Sequence, residues 1–225
     1  MKLNRPLILA SSSPRRQYLM REAGFEFTIE KPDVEEIFPA ELPHHQVAKY
    51  IAAIKAEYFR PQIHNEVIIT ADTVVILKNN ILNKPRDRDE AINMLTSLSG
   101  NTHVVMTGVC IVSKEKEETF DETTEVTFEK LSLSDIELYI ERFKPYDKAG
   151  AYGAQDGLAE GYNPCSSEEI AFLKDIGRED LIDQSFSKKE FEPRIRVIKK
   201  ISGSYFNVMG LPIRKVYSHL KSWER

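Results

Sequence analysis

The chain has 225 residues, with 31 lysines and arginines against 35 aspartates and glutamates and a formal net charge of −4 at pH 7. An acidic chain lacks the basic face on which binding to duplex nucleic acid depends, although a few focused cations can still hold a small anionic ligand. Cys110 and Cys165 form neither a disulfide framework nor a zinc motif, and no apolar run reaches the roughly 20 residues of a membrane span. We therefore expect a cytoplasmic protein with no membrane and no duplex nucleic acid as partner.

The N-terminal segment alternates between strand and helix patterns. Residues 7–10 are an all-apolar run that predicts a buried strand, and residues 15–23 predict a helix that ends at Gly24. Apolar residues then alternate with polar ones over residues 25–29, which predicts a second strand. Strand, turn, helix and strand together form one α/β unit.

The remaining elements follow from helical spacing and β-branched runs. Helices are predicted at residues 43–59, 87–98, 135–143 (with Ser134 as N-cap) and 211–223, and strands at 67–77, 81–82, 103–112, 118–131 and 196–201. From residue 161 to about 194 the sequence is polar and charged, with only a weak helical pattern at 168–176. We expect one domain over residues 1–225 with a surface insertion or lid at about 161–194.

The loop from Ser11 to Arg16 is a candidate phosphate-binding site. Three serines and Pro14 lead from the first strand into a helix, where backbone N–H groups and the helix dipole favour an anion. Arg15 and Arg16 add guanidinium groups that match phosphate oxygens. The same residues also suit a serine N-cap followed by two solvated arginines, and the loop alone does not separate the two interpretations.

Asp72 is the second candidate, because it interrupts the apolar, β-branched run at 67–77. A carboxylate there is costly unless it is paired or binds a cation, so it is either a general base, a ligand to Mg²⁺, or a strand-end residue that caps a turn. Residues 147–155 contain two glycines and three alanines, which indicates that the backbone approaches a ligand or another strand closely.

These blocks together resemble the Maf family of nucleotide pyrophosphatases. The match runs in order along the chain through S-P-R-R at 13–16, V-E-E at 34–36, K-A at 55–56, A-D-T-V-V at 71–75, K-P at 84–85, L-S-G at 98–100, T-G-V at 107–109, D-K-A-G-A-Y-G at 147–153, G-S-Y at 203–205 and N-V-M-G-L-P at 207–212. The resemblance implies an α/β fold, an elongated single domain around a bent mixed β-sheet flanked by helices (a Maf or inosine triphosphatase-like fold). It also implies a homodimer.

The activity that the resemblance implies is hydrolysis of a nucleoside triphosphate to the monophosphate and pyrophosphate, with a divalent cation, Mg²⁺ or Mn²⁺. Asp72 corresponds to the family's catalytic carboxylate, which activates water, and Glu36 to its second acidic residue, so both become candidate metal ligands. Lys55 and Lys84 correspond to its phosphate-neutralising lysines. Taken singly, each of these residues except Asp72 would be interpreted as a solvated surface charge.

The substrate positions point to one branch of the family. Ser11 and Arg16 correspond to the phosphate loop, while Arg15, Thr73 and Gln155 occupy the specificity positions of the branch that acts on dTTP and UTP. The branch that acts on methylated GTP has a different residue after the proline and a glutamine in place of the threonine. The resemblance therefore favours dTTP and UTP.

Two features depart from the family pattern, and two other functions stay open. Asn83 stands where a glycine usually precedes the Lys–Pro pair, and residues 161–194 are longer than the usual link and could cover the base pocket.

The alternative function is a nucleotide-binding regulator of cell division and septum formation without significant turnover. House-cleaning hydrolysis of modified nucleotides is a third possibility.

Overall fold

A computed structural model of the chain describes residues 3–159, 161–183 and 195–223. The described strands are β1 (Leu7–Ala10), β2 (Thr28–Glu30), β3 (Val67–Leu77), β4 (Asn80–Leu82), β5 (Thr102–Val112), β6 (Glu117–Phe128) and β7 (Ile198–Ser202). The described helices are α1 (Pro14–Glu22), α2 (His44–Phe59), α3 (Arg88–Leu98), α4 (Leu133–Phe143), α5 (Ser167–Asp175), α6 (Asp180–Asp183), α7 (Tyr205–Val208) and α8 (Ile213–Trp223). No helix in these described ranges combines the length and the apolar character needed to span a membrane.

The strands form one mixed, seven-stranded sheet. Its order is β2-β1-β3-β5-β6-β7, and β4 pairs with β3 outside this path. β1 is parallel to both β2 and β3, whereas all other pairs are antiparallel. The predicted α/β fold around a mixed sheet flanked by helices is therefore confirmed.

One edge of β3 is interrupted in the middle of the strand. On that side, residues 67–69 pair with β1 and residues 75–77 pair with β4, while β5 pairs along nearly the whole opposite side. Residues 70–74 consequently have a strand partner on one side only. Backbone groups along this gap need other partners, and Asp72 and Thr73 lie within it.

The two faces of β3 pack against different layers, because successive side chains of a strand point to opposite faces. On one face, Thr70 donates a hydrogen bond of 2.6 Å to the carbonyl of Ala52 in α2, and Val74 packs in a cluster with the first turns of α2. On the other face, Ile69 and Val75 belong to the main core, which includes residues of α1, α3, α4 and α8.

Helix α2 approaches the sheet closely at Gly108 of β5. A Cβ atom added to Gly108 would lie 2.3 Å from the amide nitrogen of Lys49 and 2.4 Å from the carbonyl carbon of Ala48. A side chain at this position would push α2 away from the sheet. The glycine therefore helps to set α2 across the sheet at the height where Lys55 reaches Asp72.

Most long predicted elements are confirmed, and the differences have physical causes. The strand predicted over 25–29 begins only at Thr28, because β1 offers partners to residues 28–30 alone. The N-cap of α4 is Ser132 and not Ser134, because the carboxylate of Asp135 accepts from the Ser132 amide and closes a capping box there. The strand predicted over 118–131 ends earlier, at Phe128.

The described part of the predicted insertion packs against the rest of the fold. Residues 161–183 contain α5 and α6, and their side chains at Phe172, Leu173 and Leu181 are buried in the main core. The remainder of the predicted insertion, residues 184–194, lies outside the described residues. The apolar residues of this segment form only a weak helical pattern within a polar, charged sequence, so the sequence did not predict this packing.

Candidate active site

A cleft of about 1040 Å³ lies where the gap in β3 meets the loop that follows β1. All nine predicted site residues line it: Ser11, Arg15, Arg16, Glu36, Lys55, Asp72, Thr73, Lys84 and Gln155. Among its described lining residues, seven are basic and four are acidic. The cleft thus concentrates positive charge in a chain whose net charge is −4, which favours an anionic ligand.

Two carboxylates share one lysine at the centre of the cleft. The ammonium of Lys55, on α2, lies 2.8 Å from Oδ1 of Asp72 and 2.7 Å from Oε1 of Glu36. Lys55 is 6% exposed and Asp72 is 9% exposed, whereas Glu36 lies on the exposed segment between β2 and α2. Burial makes a partner necessary for both charges: Asp72 has Lys55, and Lys55 has Glu36 as a second partner.

The pKa values of the two carboxylates move in opposite directions. Burial raises the pKa of Asp72, and the positive charges of Lys55 and Arg16 offset only part of this effect. Burial acts in the same direction on Glu36, but the hydrogen bond and charge of Lys55, with the charges of Lys84 and Arg16, hold its pKa below the ordinary value. Opposite shifts in neighbouring carboxylates are typical of sites that use one as a base and one as a fixed charge.

Arg16 fills the gap in β3. Its Nη1 donates to the carbonyl of Ala71 at 2.8 Å and to Oγ of Ser11 at 3.4 Å, and its Nη2 donates to Oγ1 of Thr73 at 3.0 Å. Its Nε donates to the carbonyl of Gly210 at 2.8 Å. Burial lowers the pKa of this guanidinium, and the charge of Asp72 opposes that change. Most of its donors thus bind the protein, while a phosphate contact through Arg16 stays a prediction.

The hydroxyl of Thr73 belongs to a chain of hydrogen bonds with a defined direction. Oγ1 of Thr107 donates to the carbonyl of Asn207 at 3.1 Å, which uses the only proton of that hydroxyl. In the 3.0 Å contact between the two hydroxyls Oγ1 of Thr73 is then the donor, with the carbonyl of Gly210 as a longer alternative acceptor at 3.4 Å. The same Oγ1 accepts from Nη2 of Arg16. The predicted contact of Thr73 with substrate therefore competes with contacts already made inside the protein.

Three other predicted residues have side chains free for a ligand. Arg15, Lys84 and Gln155 line the cleft, and their side chains make no hydrogen bond or salt bridge with any residue of the described ranges. The sequence left open whether the backbone of residues 147–155 approaches a ligand or another strand, and the structure shows it beside both the cleft and β3. Gly150 packs on Val75 of β3, while the residues just before Gln155 line the cleft.

Several cleft residues had no predicted role. Gly210 and Lys148 belong to blocks of the family resemblance, so those blocks were the available signal. Lys31 and Arg142 also line the cleft, but their sequence surroundings do not distinguish them from surface charges. Within residues 161–183, no side chain lines the cleft, so a covering of the base pocket is not seen for that part of the predicted insertion.

The chain is similar to known proteins over nearly its whole length. Residues 6–162 match the family described as Maf-like protein. The chain is 39% identical to the dTTP/UTP pyrophosphatase of Bacteroides thetaiotaomicron over 217 residues, which cover 96% of this chain and 94% of the relative. It is 39% identical to the protein of that name from Porphyromonas gingivalis strain W83, with the same two coverages, and 38% identical to that of Cytophaga hutchinsonii, with 97% and 84%.

Proposed function

This chain belongs to the Maf-like protein family, and on that premise we propose that it hydrolyses dTTP and UTP to the nucleoside monophosphate and pyrophosphate. The observation that carries the proposal is the contact of Glu36 and Asp72 with Lys55 inside a positively charged cleft. Acidic groups beside a triphosphate repel it, so their presence favours catalysis, or a bridging metal, over simple binding.

Asp72 is the group that activates water. Its raised pKa brings the carboxylate closer to the pH at which a general base works well, a contribution of roughly 10²–10⁴ in rate. The oxygen of the water forms a bond to the α-phosphorus while its proton moves to Asp72. The bond from that phosphorus to the bridging oxygen breaks, and pyrophosphate leaves with the electron pair.

The cations of the cleft stabilise the charge that develops on the phosphates. Lys55 holds the two carboxylates in place, and its charge partly compensates theirs. Lys84 and Arg15 have free side chains in the cleft, which lets them contact phosphate oxygens directly. Ser11, which is buried at the end of β1, contributes the start of the phosphate loop.

A divalent cation fits the acidic pair. Oxygens of Asp72 and Glu36 both contact the ammonium of Lys55, so the two carboxylates lie close together, and hard cations prefer such oxygen ligands. No group of three or more candidate ligands lies together among the described residues, so substrate phosphates would have to complete the coordination of a cation held by this pair. We propose that Asp72 and Glu36 hold Mg²⁺ or Mn²⁺, which would neutralise phosphate charge and polarise the phosphoryl oxygens.

Arg15 and Gln155 are the proposed contacts to the base. A uracil or thymine ring presents two carbonyl oxygens and one N–H group, and a guanidinium with a carboxamide provides matching donors and an acceptor. Thr73 would act on specificity through Arg16, to which its hydroxyl is bonded. A homodimer and a cytoplasmic location are further proposals supported by the family resemblance, and light scattering of the purified protein tests the first.

The direct test is pyrophosphate release from a panel of nucleoside triphosphates with Mg²⁺ or Mn²⁺. We expect release from dTTP and UTP, loss of release when a chelator is added, and loss in the Asp72→Asn variant. Asp121→Asn is the matched control, because Asp121 also pairs with a lysine, Lys49 at 2.9 Å, but lies outside the cleft lining.

Three results would contradict parts of this proposal. If pyrophosphate is released from none of the nucleotides, the proposed enzymatic function is wrong and the regulator of septum formation is favoured. Preferential release from methylated GTP would remove the pyrimidine specificity. Full activity in the presence of the chelator would contradict the proposed requirement for a divalent cation.

A further inference from the structure

Residues 161–183, which we call the bracket segment, contact two elements that carry cleft residues. Helix α5 of the segment contacts the N-terminus of α7, and Arg178 contacts the C-terminal end of α1. Helix α1 carries Arg16, and α7 leads into Gly210, which accepts the hydrogen bond from Nε of Arg16. The bracket segment, α7 and α1 thus form a closed ring of contacts beside the cleft.

The contact with α7 is made by Glu169, a carboxylate that is 1% exposed. Its Oε1 accepts from the hydroxyl of Ser204 at 2.6 Å and from the amide of Phe206 at 3.0 Å. Its Oε2 accepts from the amides of Ser166 at 2.9 Å and Tyr205 at 3.0 Å. The first N–H groups of a helix have no partner within the helix, and here a buried side chain satisfies two of them.

Helix α7 transmits this restraint to the cleft through two carbonyl groups. The carbonyl of Gly210 accepts directly from Arg16, and the carbonyl of Asn207 accepts from Thr107. Thr107 is bonded to Thr73, which accepts from the other end of the same guanidinium. Two of the contacts that orient Arg16 therefore end on residues 207–210.

We infer that Glu169 is a positioning residue of the active site: by fixing α7, its carboxylate sets the orientation of Arg16 in the cleft. The inference rests on the proposed function for its kinetic readout. It assigns a role to a residue of the predicted insertion, which lies between the family blocks at 147–153 and 203–205 and contains none of them.

Glu169→Gln is the primary test, because the two side chains have nearly the same shape. All four partners of Glu169 donate hydrogen bonds, and an amide group in place of one oxygen would face N–H groups that also donate. We expect kcat/KM for dTTP to fall roughly a hundredfold, as for a misplaced active-site group. Ser204→Ala, which removes one of the four donors, is the milder second variant if Glu169→Gln does not fold, with a smaller loss.

The Arg16→Lys background separates positioning from general loosening of the fold. If Glu169 acts through Arg16, Glu169→Gln lowers kcat/KM little further in that background, yet it lowers Tm by the same amount in both backgrounds. Asp87→Ala is the matched control, since Asp87 also accepts from a helix N-terminal amide, but on α3, which contributes no described residue to the cleft lining. We expect this control to lower Tm and to leave kcat/KM near that of its background.

Near-normal kcat/KM in folded Glu169→Gln would overturn the inference, as would an equal loss in the two backgrounds. A wild-type chain that releases no pyrophosphate would contradict the proposed function instead. The coupling between Glu169 and Arg16 would then be measured on the Kd for dTTP by titration calorimetry, where additive losses overturn the inference and non-additive losses support it.

Discussion

Asp72 and Glu169 are the two acidic residues that the described ranges bury almost completely, and their surroundings differ in kind. The carboxylate of Glu169 accepts four hydrogen bonds, three of them from backbone amides. In the same ranges only Lys55 donates a hydrogen bond to Asp72, whose pKa is raised by burial. A fully bonded carboxylate fixes the backbone around it, whereas Asp72 keeps acceptor capacity for a water molecule or a cation.

The largest expected effect separates the two residues by activity. Asp72→Asn removes the proposed general base and should lower kcat by about 10²–10⁴ with dTTP or UTP, because Asn cannot take up the proton of water. Thermal unfolding of the variant should begin no earlier than that of the wild type at neutral pH. Turnover within a few-fold of the wild type would show that Asp72 is not the base.

The second effect separates them by stability. Glu169→Ala leaves two amides of α7 and the hydroxyl of Ser204 without their acceptor, and each unsatisfied buried group costs about 1–3 kcal/mol. The free energy of unfolding should therefore fall by about 3 kcal/mol or more, as measured with urea. If Glu169→Ala lowers the free energy of unfolding no more than Asp72→Asn does, the two carboxylates do not differ in their contribution to stability.

The third effect is the pH dependence of stability that Asp72 produces. Its pKa is higher in the folded than in the unfolded chain, so folding takes up a proton between the two values. The ionised carboxylate therefore lowers stability at neutral pH, and this cost disappears below the ordinary carboxylate pKa. The stability of Asp72→Asn relative to wild type should be greatest at neutral pH and decrease on acidification. An opposite slope would mean that Lys55 outweighs burial.

The smallest effect concerns the other end of the bracket segment. Arg178 pairs with Asp180 at 2.9 Å and donates to the carbonyl of Glu22 at 3.0 Å, in a partly exposed position. Solvent-accessible ion pairs contribute about 0–1 kcal/mol, so Arg178→Ala should lower stability by that amount and change kcat/KM by less than about twofold. A loss comparable to that of Glu169→Gln would place the main restraint at α1 and not at α7.

The sequence predicted the members of the cleft better than their contacts. Asp72 was recognisable because a carboxylate inside a β-branched run is costly, and Lys55 and Glu36 followed from the family resemblance. The acceptors of Arg16 were not predictable, since Ala71 and Gly210 lie 55 and 194 residues away and bind it through carbonyls that every residue possesses.

Sequence patterns did not predict contacts between residues far apart in the chain, and they did not decide between two neighbouring residues that suit the same N-cap position. Ser134 and Ser132 are both suitable N-caps, and only the position of Asp135 decides between them. Glu169 lies in the weak helical pattern at 168–176, to which the sequence assigned no role. Its partners on α7 lie 35 to 37 residues further along the chain, so the sequence around it gave no sign of its burial.

The bond between Arg16 and Gly210 also bears on how the protein is made. Ribosomes add roughly 5–20 residues per second, so the 194 residues between the two partners take roughly 10–40 s to synthesise. For most of that interval the nascent chain carries Arg16 and Asp72 without the segment that fixes the guanidinium. The carboxylate of Asp72 is thus among the early parts of the nascent polypeptide, and Arg16 gains its contact with Gly210 only after residue 210 has left the ribosome.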